Sequence, residues 1–272
     1  MIDRSKVKAV FCNEWQQTFT AGRMAGWILL CLFPALLTTL VMVNVEWTQV
    51  DGQWQMNELP ATETWTMMLF AVCEIVCLLQ LLLWATPWLF VELEARNWIY
   101  LSVRPGGKSA VLFGKYLAAS TRTMVGTGIG LLLALLVARP ENGVYVFLVL
   151  GTLIAISSFS YAAIFTLLGA LFPRRAMVMA VGYSLVIELL ISFVPAVINQ
   201  VSIQFRLRSM LFTWMDFLGV QGSWKPSRGV EDMLGNSSVL LHLGILLVVN
   251  VALLGIANQL ICRREQVIKV EA

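Results

Sequence analysis

Apolar runs of about twenty residues or more recur along this chain and constrain it more than any single motif does. At about 1.5 Å of helical rise per residue, each is long enough to cross a hydrocarbon core of about 30 Å. Only 13% of the 272 residues are charged and 58% are hydrophobic, whereas an average soluble domain is about 25% charged. The chain therefore reads as an all-α, polytopic membrane protein, with one transmembrane domain over residues 1–272. No soluble domain of ordinary size fits between the runs. The formal charge of +3 is too small to suggest nucleic acid as a partner.

Six spans are expected, at about 25–45, 64–91, 112–137, 144–172, 176–198 and 239–262. Pro34, Pro87 and Pro195 are placed to kink or end their helices. Before the first span, Val7, Val10, Phe11, Trp15 and Phe19 share one helical face within residues 5–22, and Lys6, Lys8, Glu14, Gln16 and Gln17 fill the remainder. That pattern predicts an amphipathic helix lying in the membrane interface rather than one packed on protein. The basic start is not read as a cleavable signal: FCNEWQQTF interrupts the apolar run, and no small-x-small site follows it.

Orientation follows from lysine and arginine. Arg4, Lys6, Lys8 and Arg23 precede or open the first span. Arg96, Arg104, Lys108 and Lys115 lie between the second and third, Arg174 and Arg175 between the fourth and fifth, and Arg263, Arg264 and Lys269 in the tail. With six spans these regions share one side, and loop 46–63 on the other has four acidic residues and no Lys or Arg. The bias predicts that both termini are cytoplasmic. Residues 199–238 dissent, with Arg206, Arg208, Lys225 and Arg228, but long translocated loops follow the rule less strictly. Within them FRLRSMLFTWMDFLGV is too short and polar to span and reads as an outer interfacial or re-entrant helix.

Few residues offer enzyme chemistry, and no catalytic, cofactor-binding or metal site is assigned. His242 is the sole histidine, which excludes an H-E-x-x-H zinc site. No G-x-S-x-G elbow presents a serine to it, so it reads as structural or interfacial. Cys73 and Cys77 share a helix face but have no histidine near them in sequence, and read as small buried thiols. SVRPGGKS ends like a Walker A loop at Gly107, Lys108 and Ser109, but Ser102 stands where its first glycine belongs, and a charged helical stretch precedes it instead of a strand. The GTGIG motif, Gly126 to Gly130, allows close helix approach, expected within one subunit rather than between two.

Three ionisable residues fall well inside spans: Glu74, Arg122 and Glu188. Charge at mid-bilayer costs at least about 2.5 kcal/mol on insertion scales, so such residues face protein or water. Glu188, nearest a span centre, is read either as lining a translocation path or protonation site, or as a buried anchor between helices. Arg122 is close enough to a span end to snorkel. Glu74 is expected to pair with a neighbouring helix.

The SVRPGGKS stretch belongs to a longer polar segment, VELEARNWIYLSVRPGGKSAVLFGKYLA. Glu92 and Glu94 leave the second span, a short helix carries Trp98, Ile99, Tyr100 and Leu101, and RPGG breaks it at Pro105. A helical hairpin over 92–110, apolar on one side and charged on the other, suits contact with another protein.

This segment resembles the second cytoplasmic connection of type 2 ABC transporter permeases, whose pattern runs loosely E-x-E-x-x-T, a leucine, a proline, a basic residue and G-K. Glu92, Glu94, Leu101, Pro105, Gly114 and Lys115 match it, while Asn97 stands where threonine is common. Glu188 with Pro195 resembles the fifth span of that family, and the amphipathic start and short outer helix agree in outline. The resemblance implies an exporter subunit in the bacterial inner membrane that binds no ATP itself. A separate ATP-binding subunit would dock on the 92–110 hairpin as the coupling helix, through Glu92, Glu94, Trp98, Tyr100, Leu101, Pro105 and Lys115, and a second permease copy would complete the dimer. The alternative is a membrane scaffold that docks a soluble partner without transport.

Overall fold

The computed structural model describes residues 4–17, 19–45, 48–50, 53–55, 62–94, 98, 104–140, 142–190, 202–217 and 239–263. Nearly all of these are helical. Helix α1 is Arg4–Gln17 and α2 is Ala21–Val45. Two short strands, β1 Thr48–Val50 and β2 Gln53–Gln55, pair antiparallel with Thr48 opposite Gln55. Then come α3 Thr62–Trp84, α4 Trp88–Glu94, α5 Gly107–Ala138 and α6 Gly143–Leu171. A 3₁₀ turn, Pro173–Arg175, leads to α7 Ala176–Tyr183, which passes into a π-helical stretch, Ser184–Leu190. Helices α8 Ile203–Phe217 and α9 Val239–Arg263 follow.

Among the described residues, five stretches are long and apolar enough to cross a membrane: 22–43, 65–94, 107–138, 143–171 and 239–263. The chain is thus consistent with a multi-pass membrane protein. The expected fifth span, 176–198, is not one of these five: the π-helical stretch replaces regular α-helix after Tyr183, and Pro195 lies outside the described residues.

Helix α6 is the centre of the bundle. Its inward residues are large and aliphatic up to Ile154 and mostly small or hydroxylic from Ser157 onward (Ser157, Ser158, Ser160, Ala162, Ala163, Thr166, Gly169), interrupted by fully buried Tyr161 and Phe165. Small residues bring helix backbones close where no hydrophobic force separates helix from lipid. Helices α3, α5, α8 and α9 pack around it. On α3 the buried row runs Leu69, Cys73, Val76, Cys77, Gln80 and Leu81, while Ile75, Leu79 and Leu83 face outward.

Several boundaries differ from those the sequence suggests. The stretch 64–91 is not one helix: Ala85–Thr86–Pro87 turns between α3 and α4. Pro87 has no N–H to continue the ladder, while its carbonyl accepts the Val91 N–H at 3.0 Å and starts α4. Gly169 lets the turn approach, since a Cβ there would sit 2.6 Å from the Thr86 carbonyl oxygen. Trp88 Nε1 donates to the Thr166 carbonyl at 3.1 Å, fixing α4 on α6. By contrast, α2 runs straight through the buried Pro34.

The stretch 5–22 is likewise two elements. Helix α1 ends at Gln17, where the Phe19 N–H turns back to the Gln16 carbonyl, and Phe19 is exposed outside the helix. Val7 and Val10 pack against the glycine face of α5, where a Cβ on Gly114 would lie 2.7 Å from Val10 Cβ. Helix α1 is therefore packed at least partly on protein. Helix α8 also departs from a surface placement: Leu207, Met210 and Leu211 are fully buried between α6 and α9.

The Gly126–Gly130 motif serves the seam between α5 and α2. A Cβ on Gly130 would fall 2.6 Å from the Cys31 carbonyl oxygen, and one on Gly126 would meet Trp27 Nε1 at 2.6 Å, while Gly128 faces open space. Gly130→Ala should therefore lower the thermal unfolding midpoint of the purified chain, at a cost of about 1–3 kcal/mol for overpacking. Gly128→Ala should leave the midpoint unchanged or raise it slightly, as alanine replaces glycine in a helix. Equal midpoints for the two variants would mean that the α2–α5 seam is not closely packed.

Candidate functional site

The bundle buries two carboxylates, Glu74 on α3 and Glu188 in the π-helical stretch, with Glu74 0% and Glu188 4% exposed. Both are reached from one face of α6. Ser157 Oγ donates to Glu74 Oε2 at 2.7 Å, and Tyr161 Oη donates to Glu188 Oε2 at 2.9 Å. Ser157 and Tyr161 are four residues apart, so their side chains lie one turn apart on the same stripe.

Glu188 gathers donors from three elements. Besides Tyr161, Tyr183 Oη of α7 donates to its Oε1 at 2.8 Å, and the Gln204 backbone N–H donates to Oε2 at 3.2 Å. Gln204 is the second residue of α8, so Glu188 caps that N-terminus together with Ser202 Oγ, which accepts the Phe205 N–H at 3.1 Å. Arg208, one turn further along α8, is attracted to Glu188, Tyr161 and Glu74. The Glu74 side is sparser. Among the described residues its Oε1 has no hydrogen-bonding partner, and beside it Ser157 and Ser158 hydroxyls each lie 3.5 Å from Cys77 Sγ. Cys73 and Cys77 are fully buried, as small interior thiols should be.

A second cluster lies where α5 begins. Lys115 Nζ sits 3.0 Å from Glu14 Oε1 of α1 and also pairs with Glu92 Oε1 of α4. Lys6 Nζ donates to the Pro105 carbonyl at 3.1 Å. These contacts tie α1, the end of α4 and the turn Arg104–Gly106 to the first turns of α5. Gly106 takes φ 74°, a left-handed value that glycine accepts without strain. Ser109 Oγ donates to Asn258 Oδ1 at 2.7 Å, adding α9 to the same end.

Of the coupling residues expected from the sequence, Glu92, Lys115 and Pro105 come together here. Trp98 is buried, Glu94 is exposed, and Tyr100 and Leu101 lie outside the described residues. Arg122 does not snorkel outward. It is 6% exposed, with its guanidinium carbon 4.1 Å from the centre of the Trp84 ring, which Arg23 also approaches at 5.8 Å. His242 is buried, with Nε2 3.1 Å from Ser209 Oγ. Among the described residues its Nδ1 has no hydrogen-bonding partner. A recess of about 210 Å³, lined by Tyr145, Leu148, Val149, Thr152 and Trp214, opens at the far end of α6.

The partners of the carboxylates are what sequence reasoning missed. Glu188→Leu leaves Tyr183 and the Gln204 N–H without their acceptor and Tyr161 with only Gln204 Oε1 at 3.3 Å, and each unsatisfied buried group costs about 1–3 kcal/mol. Glu188→Gln keeps an acceptor oxygen. Thermal unfolding in lipid nanodiscs should therefore order the midpoints wild type, then Gln, then Leu. At the other cluster, Lys115→Ala should speed backbone hydrogen exchange in α1 more than Lys115→Arg does. No protein-family model, curated protein or solved structure matches the chain.

Proposed function

We propose that this chain is the membrane-spanning permease subunit of an ATP-driven transporter of the type 2 ABC exporter kind. A separate ATP-hydrolysing subunit would dock on it, and a second copy of the chain would complete the translocation unit. In this reading the bilayer is the bacterial inner membrane and both termini are cytoplasmic. The E-x-E, proline and G-K residues of the 92–115 segment support it, and so does the basic bias of the loops.

The observation that carries the reading is the Lys115 clamp. A subunit driven by a soluble motor needs a stiff element at the membrane end to receive the push. Lys115, held by Glu14 and Glu92, makes α1, α4 and the start of α5 one body at the basic end of the bundle. In this reading the 92–110 segment is the coupling helix attached to that body, and closure of the ATPase dimer would move it as a lever.

Six crossings follow if α7 with its π-helical stretch and α8 are two half-helices of one passage. The first leaves the Pro173–Arg175 turn, the second ends beside Tyr145 at the opposite end of α6, and they meet where Glu188 caps Gln204. Broken helices at membrane depth are tolerated where protein surrounds the freed backbone, and transporters place them at their substrate paths.

The test is reconstitution of the full-length chain with a candidate ATP-binding subunit in liposomes. The wild-type chain should stimulate ATP hydrolysis. Glu92→Lys with Glu94→Lys should lower the stimulation several-fold while membrane insertion stays normal. Docking without any stimulation would favour a scaffold instead, and ATP binding by the isolated chain would overturn the division of labour. Labelling of a cysteine at position 53 only from the cytoplasmic side would overturn the orientation.

A further inference from the structure

The two buried carboxylates sit in opposite surroundings, although α6 holds both. Glu188 has both oxygens engaged by three donors, one of them a helix-terminal amide, with the positive Arg208 close by. That is the environment of a carboxylate anion. Among the described residues Glu74 has a single hydrogen-bonding neighbour, Ser157 Oγ at 2.7 Å from Oε2, and a bare Oε1 in a fully buried position. Its charged form would leave an anionic oxygen without a donor in the bundle interior, which is costly. The groups facing it do not remedy this. From α3 itself come Cys73 and Cys77, from α6 Tyr161, from the π-helical stretch the like charge of Glu188, and from α8 Arg208, which Glu188 and Tyr161 also attract.

We propose that Glu74 is a membrane-embedded proton-binding site, holding one exchangeable proton on Oε2 beside a Glu188 whose two oxygens are taken by donors. The proton comes from water and returns to it. While bound it is donated to Ser157 Oγ, across the same 2.7 Å contact. The Ser157 hydroxyl hydrogen then turns to Cys77 Sγ, 3.5 Å away. In this arrangement every hydrogen in the chain has an acceptor, and Oε1 is left as a neutral carbonyl oxygen. Two carboxyl groups whose environments differ this way divide into an acid and an anion. Nothing in the proposal depends on the chain being a transporter.

Infrared spectroscopy of the full-length chain in lipid nanodiscs at neutral pH tests it directly. A buried carboxylic acid shows a carbonyl stretch that no ionised or surface carboxylate gives. The wild-type spectrum should contain that band, and it should shift down in D₂O as the proton exchanges. Glu74→Gln should abolish it and Glu188→Gln should leave it. Should Glu74→Gln fail to fold, Ser157→Ala serves, because removing the acceptor of the acid proton should displace the band without erasing it. Absence of the band from the wild type would overturn the proposal. So would a band indifferent to both Glu74→Gln and Ser157→Ala, one lost only in Glu188→Gln, or one that never shifts in D₂O.

Discussion

The contact on which the bundle turns is the hydrogen bond from Tyr161 to Glu188, made about 15 Å along α6 from its end at Leu171. A polar group inside a membrane bundle has no water to fall back on, so each one placed there obliges others to meet it. Glu188 obliges Tyr161, Tyr183 and Gln204, and these come from three separate elements. The carboxylate thereby sets where α7 ends, where α8 begins and how far both sit from α6. The π-helical stretch is part of the same solution, because its wider turn re-aims a side chain without breaking the chain, and such turns cluster at functional positions.

Much of this was legible in the sequence, and what was not has a physical cause. Apolar runs marked five of the membrane-length stretches nearly to their ends, since length and composition alone define them. Glu74, Arg122 and Glu188 stood out as charges among apolar residues, and all three are buried. Their partners did not stand out. Tyr161 and Ser157 are ordinary residues in an apolar run, and contact across 27 or 83 positions leaves no local mark. Nor does helical periodicity help, because a spanning helix is apolar on the lipid side as well as the protein side. What distinguishes the buried faces of α5 and α6 is small size, in Gly126, Gly130, Ala162 and Gly169, and only the first two form a motif. Pro87 was visible as a breaker, but whether a proline breaks a helix depends on what receives the break. Gly169 and Thr166 receive Pro87, whereas α2 absorbs Pro34 with Thr38 Oγ1 donating to its carbonyl at 2.8 Å.

Lys115 teaches the same lesson at the surface. As a lysine beside a span it reads from sequence as an anchor at the headgroups, with Glu92 and Glu94 free to meet a partner. In the fold Lys115 and Glu92 meet each other, and Glu14 joins them from a helix one hundred residues earlier. An exposed ion pair contributes little, but these side chains are only 10 to 19% exposed, so solvent screens them less than it would at a free surface. A charge reversal at Glu92 therefore acts twice, on the outward surface and on the clamp, whereas one at Glu94 acts on the surface alone.

The clamp and the buried junction share a strut. Helix α4, which carries Glu92, is held to α6 by Trp88 on Thr166 and by the Gly169 approach to Thr86. Tyr161 lies five residues from Thr166, about 7.5 Å along the same helix. An α-helix of regular hydrogen bonding does not shorten over that distance, so a shift of α4 that carries α6 with it arrives at Tyr161 almost undiminished. The element beyond Tyr161 is not regular: it is a π-helical turn whose Glu188 side chain accepts the Gln204 N–H of α8. Such a shift would reach the contact from Tyr161 to Glu188 and, through it, the Gln204 end of α8, a junction that polar groups hold together with the apolar packing of α8.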